Sequence, residues 1–176
     1  MSKSDRAMIV VVGTSHSIQT ANLELKAFLE SICKEFKICA IAEEMNEEAL
    51  AERGCAESIP MQVANALRLP HRFCDPNRKE RARLDIRQEN DFRVQAWLSQ
   101  SQSSESEIAA RVAESHAKRE RYWLEQLRTL NLWPVLFVCG ADHVRTFCQL
   151  LKQQGISAQI GAEDWASNNT VETDVP

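Results

Sequence analysis

The stretch MIVVVGTSH, residues 8–16, determines the fold that the sequence predicts. Its first half is a continuous, valine-rich apolar run, which is typical of a parallel strand covered on both faces. Similar runs occur in KICAIA, residues 37–42, and in PVLFVCG, residues 134–140. Apolar residues at helical spacing follow the first and third runs. The sequence therefore predicts an α/β fold, with a mostly parallel β-sheet flanked by helices.

The remaining segments carry weaker patterns. We expect helices over 46–53, 61–67, 77–98 and 107–130, and short strands over 69–74 and 157–160. The serine-rich SQSQSSES at 99–106 predicts a flexible polar loop. We expect residues 1–166 to form a single domain and residues 167–176 to form a disordered tail.

The composition restricts the class of protein. The chain has 176 residues, of which 44% are hydrophobic and 26% are charged, as is ordinary for a globular domain. Its net charge of -4, without a lysine–arginine block, argues against non-specific nucleic-acid binding. No apolar run is long enough for a membrane-spanning helix, and the amino-terminal residues do not read as a signal peptide. We therefore expect a cytoplasmic protein with a small-molecule or peptide substrate, and without membrane or nucleic-acid partners.

The cysteine pattern predicts reduced core thiols. The six cysteines form no CxxC pair, and several of them fall within apolar segments. Cys139 could be a nucleophile because it precedes Gly140, but its position inside a strand favours a core thiol.

Two of the strand patterns end in the same motif. VVVGTSH carries Gly13 and His16, and LFVCGADH carries Gly140 and His143, so each apolar run is followed by Gly-x-x-His. In a parallel sheet, ligands bind in the crevice at the carboxyl ends of the strands. A glycine there allows a sharp turn or the close approach of a ligand. We therefore predict that His16 and His143 belong to a functional site.

The second strand pattern ends in two glutamates. KICAIAEEM places Glu43 and Glu44 at the same edge of the sheet as the two histidines. Alternatively, they begin the next helix, where acidic residues suit the helix dipole. Both interpretations hold if one carboxylate faces the crevice and the other faces away. We slightly favour Glu43 for the crevice, because it lies closer to the end of the strand.

The segment HRFCDPNRKER, residues 71–81, supplies three candidate substrate-binding residues. His71 and Asp75 flank a short strand pattern, and Arg78 belongs to the basic run that follows. Asp75 could equally be a helix N-cap, His71 an edge residue, and the basic run a solvated helix face. One or two of the arginines could instead bind an anionic substrate.

The long helix carries His116 and Arg119 on its apolar stripe. A buried arginine needs a carboxylate or a ligand, because an unpaired buried charge is strongly destabilising. Arg119 is therefore predicted to pair with Glu43, Glu44 or Asp75. The pair would be either structural or would orient a catalytic carboxylate.

These motifs together resemble the TraB/TIKI/erythromycin-esterase/ChaN-like superfamily. Its members share a first strand ending in Gly-x-x-His, a second ending in glutamate, a helix with an inward arginine, and a late strand ending in a second Gly-x-x-His. The sequence has similar features, in that order, in VVVGTSHS, AIAEEM, KRERYWLEQL and LFVCGADHV, with Arg119 as the closest match to the arginine. The resemblance implies an α/β domain and, in several branches, hydrolysis. TIKI-like members are metal-dependent proteases, erythromycin-esterase-like members open a lactone, and ChaN-like members are associated with haem iron.

The first functional hypothesis is a hydrolase that acts on an ester, amide or related bond. Two neutral imidazoles and a carboxylate could hold a divalent metal such as manganese, cobalt or zinc. We expect the metal ligands to be His16, His143 and either Glu43 or Glu44, with Glu43 favoured and Asp75 a weaker candidate. Arg119 completes the catalytic set. In a metal-free variant, a histidine is the general base, while a glutamate and Arg119 orient water.

Two other classes of function stay open. A binding or regulatory module could hold a small anion or a nucleotide on helix N-termini in the same crevice, without turnover. The loop GTSHS lacks both GxGxxG and a Walker A lysine, so a standard dinucleotide or P-loop site is not expected. The domain could also be an accessory subunit of a protein partner, with Trp133 or Trp165 marking the interface.

Overall fold

The apolar runs of the sequence form the centre of one parallel sheet. The protein is represented by a computed structural model that describes residues 7–99 and 103–166. The strands are β1 (Met8–Thr14), β2 (Ala40–Glu43), β3 (His71–Phe73), β4 (Val135–Gly140) and β5 (Ser157–Ala162). They lie in the order β3-β2-β4-β1-β5, and every pair of neighbours is parallel. The predicted α/β fold is therefore confirmed.

Helices cover both faces of this sheet. They are α1 (His16–Ala21), α2 (Leu23–Glu35), α3 (Glu47–Glu52), α4 (Ile59–Leu67), α5 (Arg78–Leu84), α6 (Glu89–Leu98), α7 (Glu105–Leu130) and α8 (Val144–Gln153). Apolar residues of α2 and α4 pack on the face that carries Val10, Val12 and Ile41. Those of α7 and α8 pack on the opposite face, against Val11 and Phe137. Within the described ranges, no helix combines the length and apolarity that crossing a membrane requires.

The two central strands β1 and β4 send their chains to opposite faces of the sheet. The helix α2, which follows β1, contributes to one apolar core, whereas α8, which follows β4, contributes to the other. The register pairs Gly13 with Cys139 and Thr14 with Gly140, so the two Gly-x-x-His turns lie side by side. In open parallel sheets, ligand sites favour the place where the direction of the connections reverses.

Several predicted boundaries are corrected by local backbone chemistry. The segment predicted as mostly helical over 77–98 is two helices, because Asp85 adopts a left-handed conformation with φ 52°. The long helix begins two residues earlier than predicted, since Ser104 caps it and accepts a hydrogen bond from the Glu107 N–H. Trp165 is buried against the α2 face, so it does not mark an exposed interface. The predicted tail at 167–176, and residues 100–102 of the predicted loop, lie outside the described residues.

Candidate functional site

A polar cavity of about 780 Å³ lies at the carboxyl ends of β1, β2 and β3. Residues with ionisable side chains that line it include His16, Glu44, Asp75, Arg78, Arg81 and Arg119. Five of these six were candidate site residues in the sequence, and Arg81 belongs to the basic run that follows Asp75. The strand ends therefore bring together polar residues from distant parts of the chain.

Arg119 is clamped between two buried carboxylates. Its Nη1 lies 2.7 Å from Glu44 Oε1, and its Nε donates to Asp75 Oδ1 at 2.6 Å. The side chain of Arg119 is 14% exposed, and each carboxylate is 3% exposed or less. Of the three carboxylates predicted to pair with an inward-facing Arg119, namely Glu43, Glu44 and Asp75, the last two do so.

Asp75 is the most heavily bonded acid of the cavity. Arg81 Nη2 donates to Asp75 Oδ2 at 2.5 Å, and the indole Nε1 of Trp123 donates to Oδ1 at 3.2 Å. Burial alone would raise the pKa of Asp75, but the hydrogen bonds and charges of Arg119 and Arg81 outweigh it and hold the pKa below its usual range. Asp75 is therefore an ionised anchor for two arginines, and it is not the N-cap of α5, which is Asn77.

Glu44 links the two Gly-x-x-His turns. Its Oε2 accepts a hydrogen bond from the Gly140 N–H at 2.6 Å, and its Oε1 lies 3.6 Å from His16 Nε2. The His16 side chain is 37% exposed and borders the cavity. Its other ring nitrogen, Nδ1, lies 3.4 Å from Gln19 Oε1. His16 therefore stands between an ionic cluster on one side and a neutral amide on the other.

Glu43 lies on the opposite face of the sheet, in a hydrogen-bond network that reaches His16 through Gln19. Gln19 Nε2 donates to its Oε2 at 2.9 Å, and its Oε1 is bonded to the Ser58 hydroxyl and to His71 Nε2, the latter at 2.8 Å. Successive side chains of a strand point to opposite faces, so neighbouring glutamates must separate. It is Glu44 that lines the cavity, contrary to the slight preference for Glu43 drawn from the sequence.

His143 is buried away from the cavity. It is 4% exposed, and its Nδ1 bonds Glu120 Oε1 at 2.9 Å. The hydroxyl of Thr146 donates to the same oxygen at 2.6 Å. The rings of His116 and Trp123 pack on the imidazole, with centroids 4.3 and 4.8 Å away. The second histidine motif therefore forms a packed structural cluster.

The favoured metal ligands expected from the sequence do not form one set. Glu43 lies on the far face of the sheet, His143 is bonded to Glu120, and His16 alone of the three borders the cavity. Within residues 7–99 and 103–166, no three His, Cys, Asp or Glu side chains are grouped as a metal site requires. The residues present therefore do not fit a metal held by His16, Glu43 and His143.

The remaining candidates have the following positions. His71 bonds Glu43 from β3 and does not line the cavity. Arg78 lies at the cavity rim, where its side chain pairs with Glu52. Cys139 is fully buried, and burial raises the pKa of its thiol far above the usual value, so its expected place in the core is confirmed.

Gln19 and Glu120, together with the hydroxyl residues Ser58 and Thr146, belong to these networks and were missed at the sequence level. Gln19 lies one helical turn after His16, and Glu120 lies four residues after His116. For Gln19 the signal was a polar side chain at helical spacing from its partner His16, whereas Glu120 bonds His143, 23 residues away, and no local spacing indicates that contact. Such spacing is common on solvated helix faces, so it indicates a partner only when burial is known.

No known family model matches the chain, and no curated protein and no solved structure is significantly similar to it. The resemblance to the TraB/TIKI/erythromycin-esterase/ChaN-like superfamily therefore stays a prediction based on four short motifs. Any assignment of function depends on the geometry of the cavity.

Proposed function

We propose that the protein is a hydrolase that cleaves an ester, amide or related bond in the polar cavity, with His16 as the general base. The position of His16 carries this proposal. Among the described residues, it is the one histidine that lines the cavity, and its Nε2 lies 3.6 Å from the buried carboxylate of Glu44. A partly exposed imidazole beside a fixed carboxylate is the arrangement that general-base chemistry uses.

In the proposed reaction, His16 Nε2 removes a proton from a water molecule, and the water oxygen attacks the carbonyl carbon of the bound substrate. The bond from this carbon to the leaving oxygen or nitrogen then breaks. The imidazolium returns its proton to the leaving group, so His16 ends in its starting state and one water is consumed.

Glu44 has the role of stabilising the imidazolium that forms in this step. The negative charge of Glu44, 3.6 Å from Nε2, attracts the positive ring that forms during the reaction. Glu44 can hold that position because Arg119 fixes Oε1 and the Gly140 N–H fixes Oε2. Arg81 balances the charge of Asp75, so the two carboxylates and the two guanidiniums of the cluster sum to zero. The buried cluster thus supplies a rigid, charge-compensated support beside an exposed base.

Binding of a small anion without turnover has less support. Four arginines line the cavity, but Arg78, Arg81 and Arg119 are already paired with carboxylates. Arg53 is the fourth, and no carboxylate of residues 7–99 and 103–166 forms an ion pair with it. One unpaired guanidinium among several acids is a weak anion site. The cavity therefore favours an uncharged polar substrate group.

The hydrolase proposal is tested with two uncharged chromogenic probes, the ester p-nitrophenyl acetate and the amide N-acetyl-alanine p-nitroanilide. We expect the wild-type protein to hydrolyse at least one of them above the buffer rate. His16→Gln should lower kcat/KM by about 10²- to 10⁴-fold, the usual contribution of a general base. Ser17→Ala is the matched control, because Ser17 is an exposed neighbour on α1 whose side chain hydrogen-bonds the exposed hydroxyl of Ser15 and does not line the cavity.

Each assay is run after EDTA treatment and again with added Mn²⁺, Co²⁺ or Zn²⁺. Turnover that persists in EDTA and is lost in His16→Gln supports the metal-free reaction. Turnover that appears only with a metal would restore the metal-dependent hypothesis and contradict the mechanism given above. Hydrolysis that is equal in wild type and His16→Gln, or absent from the wild type, would contradict the proposed function.

A further inference from the structure

We propose that Gln19 is a positioning residue that holds the neutral His16 ring in the tautomer with its proton on Nδ1. This role deepens the proposed function, because it leaves Nε2 free to act as the base. Gln19 is fully buried and joins the two glutamates of the β2 end through His16. The geometry points to a directed chain in which His16 Nδ1–H donates to Gln19 and the Gln19 NH₂ group donates to Glu43, while Nε2 faces Glu44 without a proton.

The orientation of the Gln19 amide is set by Glu43. The Gln19 amide atom 2.9 Å from Glu43 Oε2 must be its NH₂ group, since a carboxylate oxygen accepts hydrogen bonds. Turning the amide over would bring its carbonyl oxygen against the carboxylate and leave two buried acceptors facing each other. Ser58 also donates to Glu43, from the N-cap of α4, so the carboxylate is fixed within its network.

The orientation of Gln19 then sets the proton on His16. With NH₂ directed at Glu43, the amide oxygen Oε1 faces His16 Nδ1 at 3.4 Å. This oxygen can only accept a hydrogen bond, so Nδ1 must carry the ring proton. A neutral imidazole has one N–H, and Nε2 is therefore the nitrogen with the free lone pair. Free histidine favours the opposite tautomer, so the protein has to impose this one.

The tautomer of His16 determines whether Nε2 can accept a proton. This atom is on the side of Glu44 and the cavity, 3.6 Å from Glu44 Oε1. In the neutral ring it offers a lone pair to a water in the cavity. After taking a proton, it becomes a donor directed at a carboxylate. Gln19 therefore acts through His16 and touches no substrate, which separates it from the catalytic residues.

The experiment is long-range ¹H–¹⁵N NMR of the imidazole rings in uniformly ¹⁵N-labelled protein, at a pH where the rings are neutral. The His16 signals are assigned by their absence from His16→Gln. We expect wild-type His16 to show Nδ1 as the protonated nitrogen and Nε2 as the unprotonated one. Gln19→Met, which keeps the length of the side chain but has no amide, should shift His16 to the Nε2–H form. Ser17→Ala should retain the wild-type pattern.

The wild-type spectrum decides the matter even if Gln19→Met fails to fold, because an Nε2–H tautomer in the wild type would overturn the proposal. An Nδ1–H tautomer that persists in a folded Gln19→Met would also overturn it. The NMR result is independent of turnover, so an Nδ1–H tautomer in an inactive protein would count against the hydrolase function alone. If both hold, Gln19→Met should lower kcat at least tenfold and leave KM unchanged.

Discussion

The two Gly-x-x-His turns share a sequence pattern and lie side by side, yet they have become different structures. At the β1 turn, His16 borders the cavity and has only long contacts, at 3.4 and 3.6 Å, to Gln19 and Glu44. At the β4 turn, His143 is buried and bonded to Glu120 at 2.9 Å. The first histidine is available to a ligand, whereas the second is part of the core.

The difference follows from where the chain goes after each turn. After β1 it enters α1, and the ring of His16 is left at the edge of the cavity. After β4 it passes to the opposite face, where α7 supplies Glu120, His116 and Trp123 around the imidazole of His143. The Gly-x-x-His motif therefore fixes the position of a histidine at the end of a strand, but it does not determine whether that histidine faces a cavity or packs in the core. The neighbouring helices decide whether its side chain is open or enclosed.

Replacing each histidine by alanine should give the largest contrast. We expect His143→Ala to lower the free energy of unfolding by about 2–4 kcal/mol, because it removes a buried hydrogen bond to a carboxylate and leaves a cavity. His16→Ala should change it by about 0.5 kcal/mol or less, since the side chain is partly exposed and its contacts are long. Urea denaturation of both variants and the wild type measures this. Equal destabilisation by the two substitutions would contradict the assignment of separate roles.

The two glycines provide a second contrast. A Cβ on Gly13 would lie 2.0 Å from the backbone oxygen of Glu163 and 2.5 Å from Val144 Cγ2. A Cβ on Gly140 would meet its nearest neighbour, Glu44 Oε2, at 3.3 Å. We therefore expect Gly13→Ala to cost about 1–3 kcal/mol of unfolding free energy, as overpacking does, and Gly140→Ala to cost less than about 1 kcal/mol. Thermal unfolding monitored by circular dichroism gives the Tm of both variants. A larger decrease in Tm for Gly140→Ala than for Gly13→Ala would contradict this prediction.

Gly13 thus has a different structural role from the one that the sequence indicated. The motif predicted a sharp turn or the approach of a ligand, but neither Gly13 nor Gly140 has a positive φ. What approaches Gly13 is the chain after β5: the Glu163 carbonyl crowds its Cα, and the Trp165 N–H donates to the Gly13 oxygen at 2.9 Å. A glycine required for close approach looks the same in sequence whichever partner approaches it.

The sequence was sufficient for the fold class because the central strands are buried on both faces and read as continuous apolar runs. Burial on both faces also explains why the strand order could not be predicted, since continuous apolar runs carry no information about which strand pairs with which. For the same reason, the sequence could not show whether Glu43 or Glu44 lines the cavity. Alternation predicts that they point to opposite faces, but both faces are covered, and nothing local indicates which face holds a cavity.

Two partners of the histidines, Gln19 and Glu120, were beyond sequence reasoning for a related reason. Glu120 reaches His143 from a helix more than 20 residues earlier, and Gln19 matters only because it is buried against Glu43. Charge alone singled out Arg119, because a cation on an apolar stripe needs a partner. A neutral amide such as that of Gln19 does not require a charged partner, so in the sequence it cannot be distinguished from an ordinary surface residue.

The smallest expected effect concerns pH and the cluster at the β4 turn. Burial, followed by the charges of His143 and Arg119, lowers the pKa of His116 below its usual value of about 6.5. A group with a lowered folded-state pKa contributes stability that is present above its unfolded pKa and is lost as the pH falls through the folded value. The wild-type free energy of unfolding should therefore decrease as the pH falls below about 6.5. His116→Gln should show a shallower decrease in urea denaturation between pH 7.5 and pH 5, and Ser17→Ala should keep the wild-type slope. If His116→Gln left the slope of unfolding free energy against pH unchanged, protonation of His116 would not be coupled to folding. The packed cluster at the β4 turn would then not differ from the open His16 in this respect.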